Sequence, residues 1–261
     1  MLSALVAIAA LSQARAEPAL PFHAPAARWE DEHQVDVTLF AKGLRYLYTL
    51  ERRAPLGWAG DDILFRDFYV APGVVVDVTP AFARAGARLH FVPIAVLDVQ
   101  ADAQFTSYFG AFSALVDFDS PRADHSEAAF DSGIYDGRRQ AAFGLKLGLT
   151  PTPQLQVGKF ILAMPQEFAH FRMQRPADAR GAYWYEPFYD TMVQWNDTLV
   201  VNSALGFWAF RESSPTDPRL FWLGLHFNHQ YVFGTGERTV KLGPMAVFKA
   251  GRSPWVPSTA L

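Results

Sequence analysis

His125-Ser126-Glu127 brings together the three residue types of a hydrolase, and His226 and His229 are the most closely spaced pair of histidines. Neither supports chemistry by spacing. A catalytic triad is defined by spatial geometry, and adjacent residues on a strand or loop point in different directions, so His125 to Glu127 reads as a solvated loop. His226 and His229 have opposite parity in a strand-like stretch and cannot both face one interior metal. The sequence has no cysteine, which removes thiolate catalysis and thiolate metal sites. No catalytic residue, metal or cofactor is assigned, and the chain is read as a non-enzyme.

The more informative polar residues recur at alternate positions. Ala95 to Phe109 has apolar Ala95, Leu97, Val99, Ala101, Ala103 and Phe105 interleaved with polar Asp98, Gln100, Asp102, Gln104 and Thr106. A strand puts these two sets on opposite faces. Extending the same parity argument along the chain assembles one polar face from Asp67, Asp77, Asp98, Gln100, Asp102, Gln104, Lys146, His226, Asn228, Gln230 and Lys241. His90 joins it. Such a face either fills a small barrel as a packed network or lines a narrow polar channel, in which Asp98 and Asp102 would favour cations. Both signs of charge are present, so the set predicts no net selectivity.

Long alternating segments must position these residues. The first expected strand is Val35 to Arg53, with a bulge at Gly43 where the phase slips. The second is Leu64 to Thr79, where Arg66 on the apolar face marks a rim position. Thr79 to Gly86 reads as a turn and Arg88 to Phe109 as the third strand. A long loop, Gly110 to Arg139, precedes Gln140 to Thr150. Thr150-Pro151-Thr152-Pro153 reads as a tight turn. Gln154 to Met164 follows, then a loop from Pro165 to Arg180. Tyr183 to Gln194 is the sixth strand although Pro187 interrupts it. Thr198 to Arg211, Phe221 to Phe233 and a segment around Val240 to Phe248 complete nine. Longer connections are expected after strands one, three, five and seven, with compact turns after four, six and eight. Tyr46, Tyr48, Tyr108, Trp184, Tyr185, Trp195 and Phe233 lie toward strand ends and would suit interfacial girdles.

Aromatic residues make up 15% of the 261 residues while the formal net charge is only -3. No basic stripe rises above that background, which argues against nucleic acid as a partner. Leu2 to Leu11 is an apolar run followed by Ala14-Arg15-Ala16, a small-x-small pattern, so residues 1–16 read as a secretory signal peptide. Pro18, Pro21 and Pro25 make residues 17–34 a flexible lead-in, leaving residues 35–261 as one β domain. No window has about 20 continuous apolar residues, so no membrane-spanning helix is expected.

Together, the signal peptide, long alternating strands, absent cysteine and loop asymmetry resemble bacterial outer-membrane β-barrel proteins. The resemblance is one of pattern, with no subfamily motif, and the chain lacks the His-x-Ser pattern of membrane phospholipase barrels. It implies an all-β, antiparallel up-and-down transmembrane barrel of about ten strands, with eight and twelve also fitting. The nine strands recognised and the SPWVPSTAL terminus leave a closing strand to be found or missing. The implied location is the cell outer membrane, the implied partner is outer-membrane lipid, and protein partners are left open. The implied role is structural or that of a narrow transport channel. Two alternatives remain: a secreted or periplasmic soluble β-barrel that binds an apolar ligand with its faces inverted, and an outer-membrane hydrolase.

Overall fold

The computed structural model describes residues 27–38, 43–56, 68–110, 115–211 and 220–249. In chain order the strands are β1 (Arg28–Thr38), β2 (Gly43–Pro55), β3 (Tyr69–Val78), β4 (Phe82–Ile94), β5 (Leu97–Tyr108), β6 (Asp117–Phe118), β7 (Ala142–Val157), β8 (Phe160–Ala163), β9 (Gln166–Met173), β10 (Tyr183–Glu186), β11 (Thr191–Gln194), β12 (Asn196–Arg211), β13 (Leu220–Val232) and β14 (Arg238–Lys249). A short helix, α1 (Glu127–Asp131), lies between β6 and β7. The large sheet has 11 strands in the order β1-β2-β3-β4-β5-β7-β8-β12-β13-β14, with β9 also joining β7 to β12. β8 and β9 share both neighbours and are one wall strand interrupted at Met164-Pro165. Counted by wall position, the sheet therefore has ten antiparallel places. No pairing joins β1 to β14 among the described residues.

Side chains along this sheet are sorted against the usual rule. On β5, Gln104, Thr106 and Tyr108 are buried, whereas Phe105 between them is 76% exposed. On β4, Arg84 is buried and Ala85 and Ala87 are exposed. Leu225, Phe227, Val240 and Leu242 stand exposed on β13 and β14 while Gln230 is buried. The exposed convex face is largely apolar, while the buried concave face carries these polar residues together with apolar Tyr69, Ala71, Val75, Phe207, Ala209, Trp222 and Val247, so polar groups are buried and large apolar ones exposed against the pattern of a soluble sheet.

The wall curls around an internal hairpin. Arg45 of β2 lies 4.6 Å over the Phe188 ring, and Lys241 of β14 lies 3.1 Å from Asp190. Phe188 and Asp190 belong to the same β10–β11 tip, so strands near both ends of the sheet order meet one short turn. The cross-strand ladder is also steeply staggered. Stepping straight across it from Glu30 leads through Glu51, Gly73, Arg88, Asp102, Gly148, Ala169, Leu199 and Val232, and on to Glu237 through the Val232 N–H. The path starts near the beginning of β1 and ends just before β14, at the opposite end of the wall. The end where β1 starts and β14 finishes is called the lower end, and the other the upper end.

Several sequence expectations are corrected. Val35 to Arg53 is the end of β1 and most of β2; Gly43 opens β2 and is not a bulge. β1 starts at Arg28, inside the expected lead-in. The turn before β4 stops at Ala81, and Arg88 to Phe109 is the end of β4, a two-residue turn at Ala95-Val96, and β5. Thr150 to Pro153 lies within β7. Gln154 donates its N–H to Val96 on one side, while the Pro153 carbonyl accepts from Met164 on the other. The imide nitrogens of Pro151 and Pro153 thus point toward the Met164-Pro165 interruption, where a donor is dispensable. Gln154 to Met164 turns back at Gly158-Lys159 into β8, and half of the expected loop from Pro165 to Arg180 is β9. Tyr183 to Gln194 is the internal hairpin rather than a wall strand. The Gly110 to Arg139 loop contains β6 and α1, and the connections after Pro55 and Arg211 fall at the same end as two-residue turns. The expected loop asymmetry therefore does not hold. The start of the second expected strand, including Arg66, and the signal-peptide residues lie outside the described residues.

Candidate functional site: the lumen and its hairpin plug

β10 pairs with β11 and with β6 to form a small three-stranded sheet that closes the upper end. Its Trp184 is fully buried against Tyr108 and Phe171, with ring centroids at 5.1 and 5.9 Å. Phe82, Leu199, Val201 and Val232 complete this apolar seal. Asp117 of β6 fixes the entry to the hairpin by accepting the Arg180 and Gly181 N–H groups at 2.8 and 2.5 Å. Glu237, just before β14, holds the start of β11 by accepting from Thr191 Oγ1 and the Met192 N–H. Asp190 adopts a positive φ of 54°, a conformation that Asp tolerates better than most side chains, and this lets the tip turn inward.

Beneath the seal, the tip is held by charge. The Glu186 carboxylate is fully buried and accepts from Arg84 Nη2 at 2.5 Å, Tyr108 Oη at 2.6 Å and the Tyr189 N–H at 2.8 Å. Arg84 is 2% exposed and lies 4.0 Å over the Phe82 ring. Asp77 takes a two-pronged contact from Arg45 at 2.8 and 3.1 Å and stands 3.9 Å from Arg84. Across the lumen, Tyr189 Oη donates to Glu167, which Lys146 approaches to 3.0 Å. Burial, and then the Glu167 carboxylate, push the Tyr189 phenol well above its ordinary pKa; burial, and then Asp190, do the same to Tyr185. Both phenols remain donors across the neutral range. Several buried polar atoms along the same wall have no hydrogen-bond partner among the described residues: Arg84 Nε, Gln104 Oε1 and Thr106 Oγ1. Groups of this kind suit a hydrated interior better than a dry one.

The lower half holds two buried apolar groups, Phe207, Ala209, Trp222 and Val247 on one side and Tyr69, Ala71 and Val92 on the other, and a second polar cluster. His90 Nε2 lies 2.6 Å from Asp98 and 3.1 Å from Tyr69 Oη, and His90 Nδ1 lies 3.2 Å from Glu51. Arg53 stacks 3.7 Å over the Tyr69 ring. Asp98 therefore already has a partner and is no free cation site. Asp102 lies over Gly148, where a Cβ would stand 2.7 Å from its carboxylate. Among the described residues, no group of three or more His, Cys, Asp or Glu side chains is arranged to hold a metal.

Of the sequence-derived polar set, Asp77, Gln104, Lys146 and Gln230 are buried in the lumen. Asp98, Gln100, Asp102, His226 and Asn228 are half-buried on the same face, and Asn228 donates to Ser203 at 3.1 Å. Lys241 is half-exposed and reaches the tip. Asp67 lies outside the described residues. His226 and His229 do occupy opposite faces. Ser126 caps α1 by accepting from the Ala129 N–H, while His125 packs against Tyr185 and lies 3.8 Å from Glu237, so the hydrolase arrangement is not formed.

Sequence reasoning missed Arg45, Glu51, Arg84, Arg88, Glu167, Glu186 and Tyr189. For β4 the signal is present: Phe82, Arg84, Gly86, Arg88 and His90 alternate with Ala83, Ala85, Ala87 and Leu89. Alanines on the convex face made that alternation faint. For the hairpin no alternation exists, because successive side chains, Trp184 to Glu186 and Thr191 to Val193, are buried on both of its faces. No protein-family model matches this chain, and neither a curated protein nor a solved structure matches it.

Proposed function

We propose that this chain is an integral β-barrel of the bacterial outer membrane, with a structural role in the plugged state and a narrow polar lumen behind the plug. The observation that carries this reading is the inverted burial of the wall. Leaving a Leu, Val or Phe side chain in water forgoes about 1.5–3 kcal/mol each, and the convex face presents them in number, including Phe105, Phe143, Leu225 and Leu242. A bilayer removes that penalty. A soluble carrier of an apolar ligand would need an apolar interior, whereas this one buries Arg84, Asp77, Glu186 and Lys146.

A bilayer also demands paired strand edges, so this reading includes closure of β1 on β14. The two are antiparallel in sense and have 11 and 12 residues. A slip of about ten to twelve residues at ~3.3 Å each, over ten strands ~4.8 Å apart, gives a tilt of roughly 35–40°, within the range of closed barrels.

The test is a depth profile. Leu147→Arg, in the middle of the convex face, is expected to destabilise the lipid-folded protein by about 2–4 kcal/mol, and Trp208→Arg, near the lower rim, by about 0–1 kcal/mol. Denaturant titration in vesicles, read by the heat-modifiable gel band, measures both. Equal costs, or folding in plain buffer without detergent or lipid, would overturn the proposal.

A further inference from the structure

Outside β1, no wall strand carries Asp or Glu at a convex position among the described residues. Arginines do stand there, Arg172 among them. Arg172 holds the last convex position of β9, is exposed, and makes no hydrogen bond, ion pair or ring contact with any described residue. It is level with Asn196, the first residue of β12, which is exposed as well. One convex step lower, His170 is level with Thr198, and His170 Nδ1 lies 2.9 Å from Thr198 Oγ1. With the hydroxyl donating to Nδ1, the imidazole keeps its own proton on Nε2 and offers a further donor beside the guanidinium.

Two successive cross-strand pairs on one face put these four side chains within about 8 Å of their neighbours. The surface around them changes with height. Exposed Phe143 and Phe233 flank the patch, level with Gln174 and Thr198. Aromatic residues at the ends of wall strands mark the interfacial zone of a bilayer. Toward the lower end, Leu147, level with His170, and Phe168 are exposed and apolar. A guanidinium, an amide and an imidazole N–H above, with bare apolar surface below, complement a phosphate joined to acyl chains. With no carboxylate on this part of the wall, nothing meets the ammonium of a zwitterionic headgroup, so the fitting lipid has a net negative charge.

We propose that Arg172, Asn196 and His170 form a site for the phosphate of an anionic membrane lipid in the leaflet at the upper end. This rests on the membrane reading above. The full chain, folded and then stripped of lipid in a neutral detergent, is mixed with phosphatidylglycerol, and bound lipid is counted by native mass spectrometry. One phosphatidylglycerol per chain is expected to be retained, with phosphatidylcholine held at least about tenfold more weakly. Arg172→Gln is expected to weaken phosphatidylglycerol binding at least about tenfold. Arg52→Gln, at the lower rim of β2 and close to Asp31, is expected to leave it unchanged. Equal retention of the two lipids, or equal losses in the two variants, would overturn the site while a heat-modifiable band still supports a membrane barrel. Displacement of the lipid by an equal concentration of inorganic phosphate would make this a site for the free ion and overturn the lipid assignment. Loss of the band, together with solubility in plain buffer, would instead overturn the membrane reading and the site with it.

Discussion

Arg84 and Glu186 are both removed from solvent, so each depends on the other for compensation of its charge. Glu186→Gln leaves the guanidinium with Tyr108 and a distant Asp77, and is expected to cost about 3–5 kcal/mol, measured as a lower denaturant midpoint with an unchanged slope. Replacing both residues by apolar ones of similar size, as in Arg84→Met with Glu186→Leu, is expected to recover most of that loss. A double variant as unstable as the single one would mean that the pair acts through shape rather than charge. At this scale the sequence was legible where a polar residue stands between two bulky apolar neighbours, as Gln104 does. Arg84 was hidden between alanines, and Glu186 lies 102 positions along the chain from it, a distance over which parity carries no information.

The hairpin formed by β10 and β11 is the element that decides what the lumen can do. Trp184 seals it with apolar contacts above, and the tip fills it with paired charges below. The intact protein is therefore expected to show no steady conductance in a planar bilayer. Replacing residues 183–194 by a short Gly-Ser segment is expected to give discrete conductance steps. If the shortened protein folds and stays silent, the lower half of the lumen is itself closed. Wall strands were legible from their alternation, but their ends were not. Ala95-Val96 turns the chain without glycine, proline or asparagine, so two strands read as one. Pro151 and Pro153 read as a turn because their tolerance depends on the interruption in a neighbouring strand, which is a property of the assembled sheet.

At the scale of the whole molecule, the staggered ladder sets the register in which β1 meets β14 on the proposed closure. Glu32 and Gln34 on β1 and Met245 and Val247 on β14 have the lumen-facing parity. A slip of about ten to twelve residues puts Glu32 opposite Met245 or Val247. A disulfide is expected from Glu32→Cys paired with Val247→Cys or Met245→Cys. Glu30→Cys with Glu237→Cys, the pair without slip, is expected to stay reduced. Linking of the last pair alone would reject a tilted barrel. Ten wall positions were close to legible from pattern, because the merged strands and the misread hairpin nearly cancelled in the count.

The hairpin tip touches β2, β4, β7, β9 and β14, and this also bears on how fast the protein can form. A wall wrapped around a post cannot be completed one strand at a time, because the post arrives from between β9 and β12 and must be enclosed before the outer strands meet. Contacts such as Arg84 with Glu186 draw together distant parts of the chain at high entropic cost before they return any stability. Appearance of the heat-modifiable band after dilution into vesicles should therefore be slow in the intact protein and faster once residues 183–194 are replaced, even though the shortened barrel is less stable. Equal rates would mean that the post slides into a wall already made.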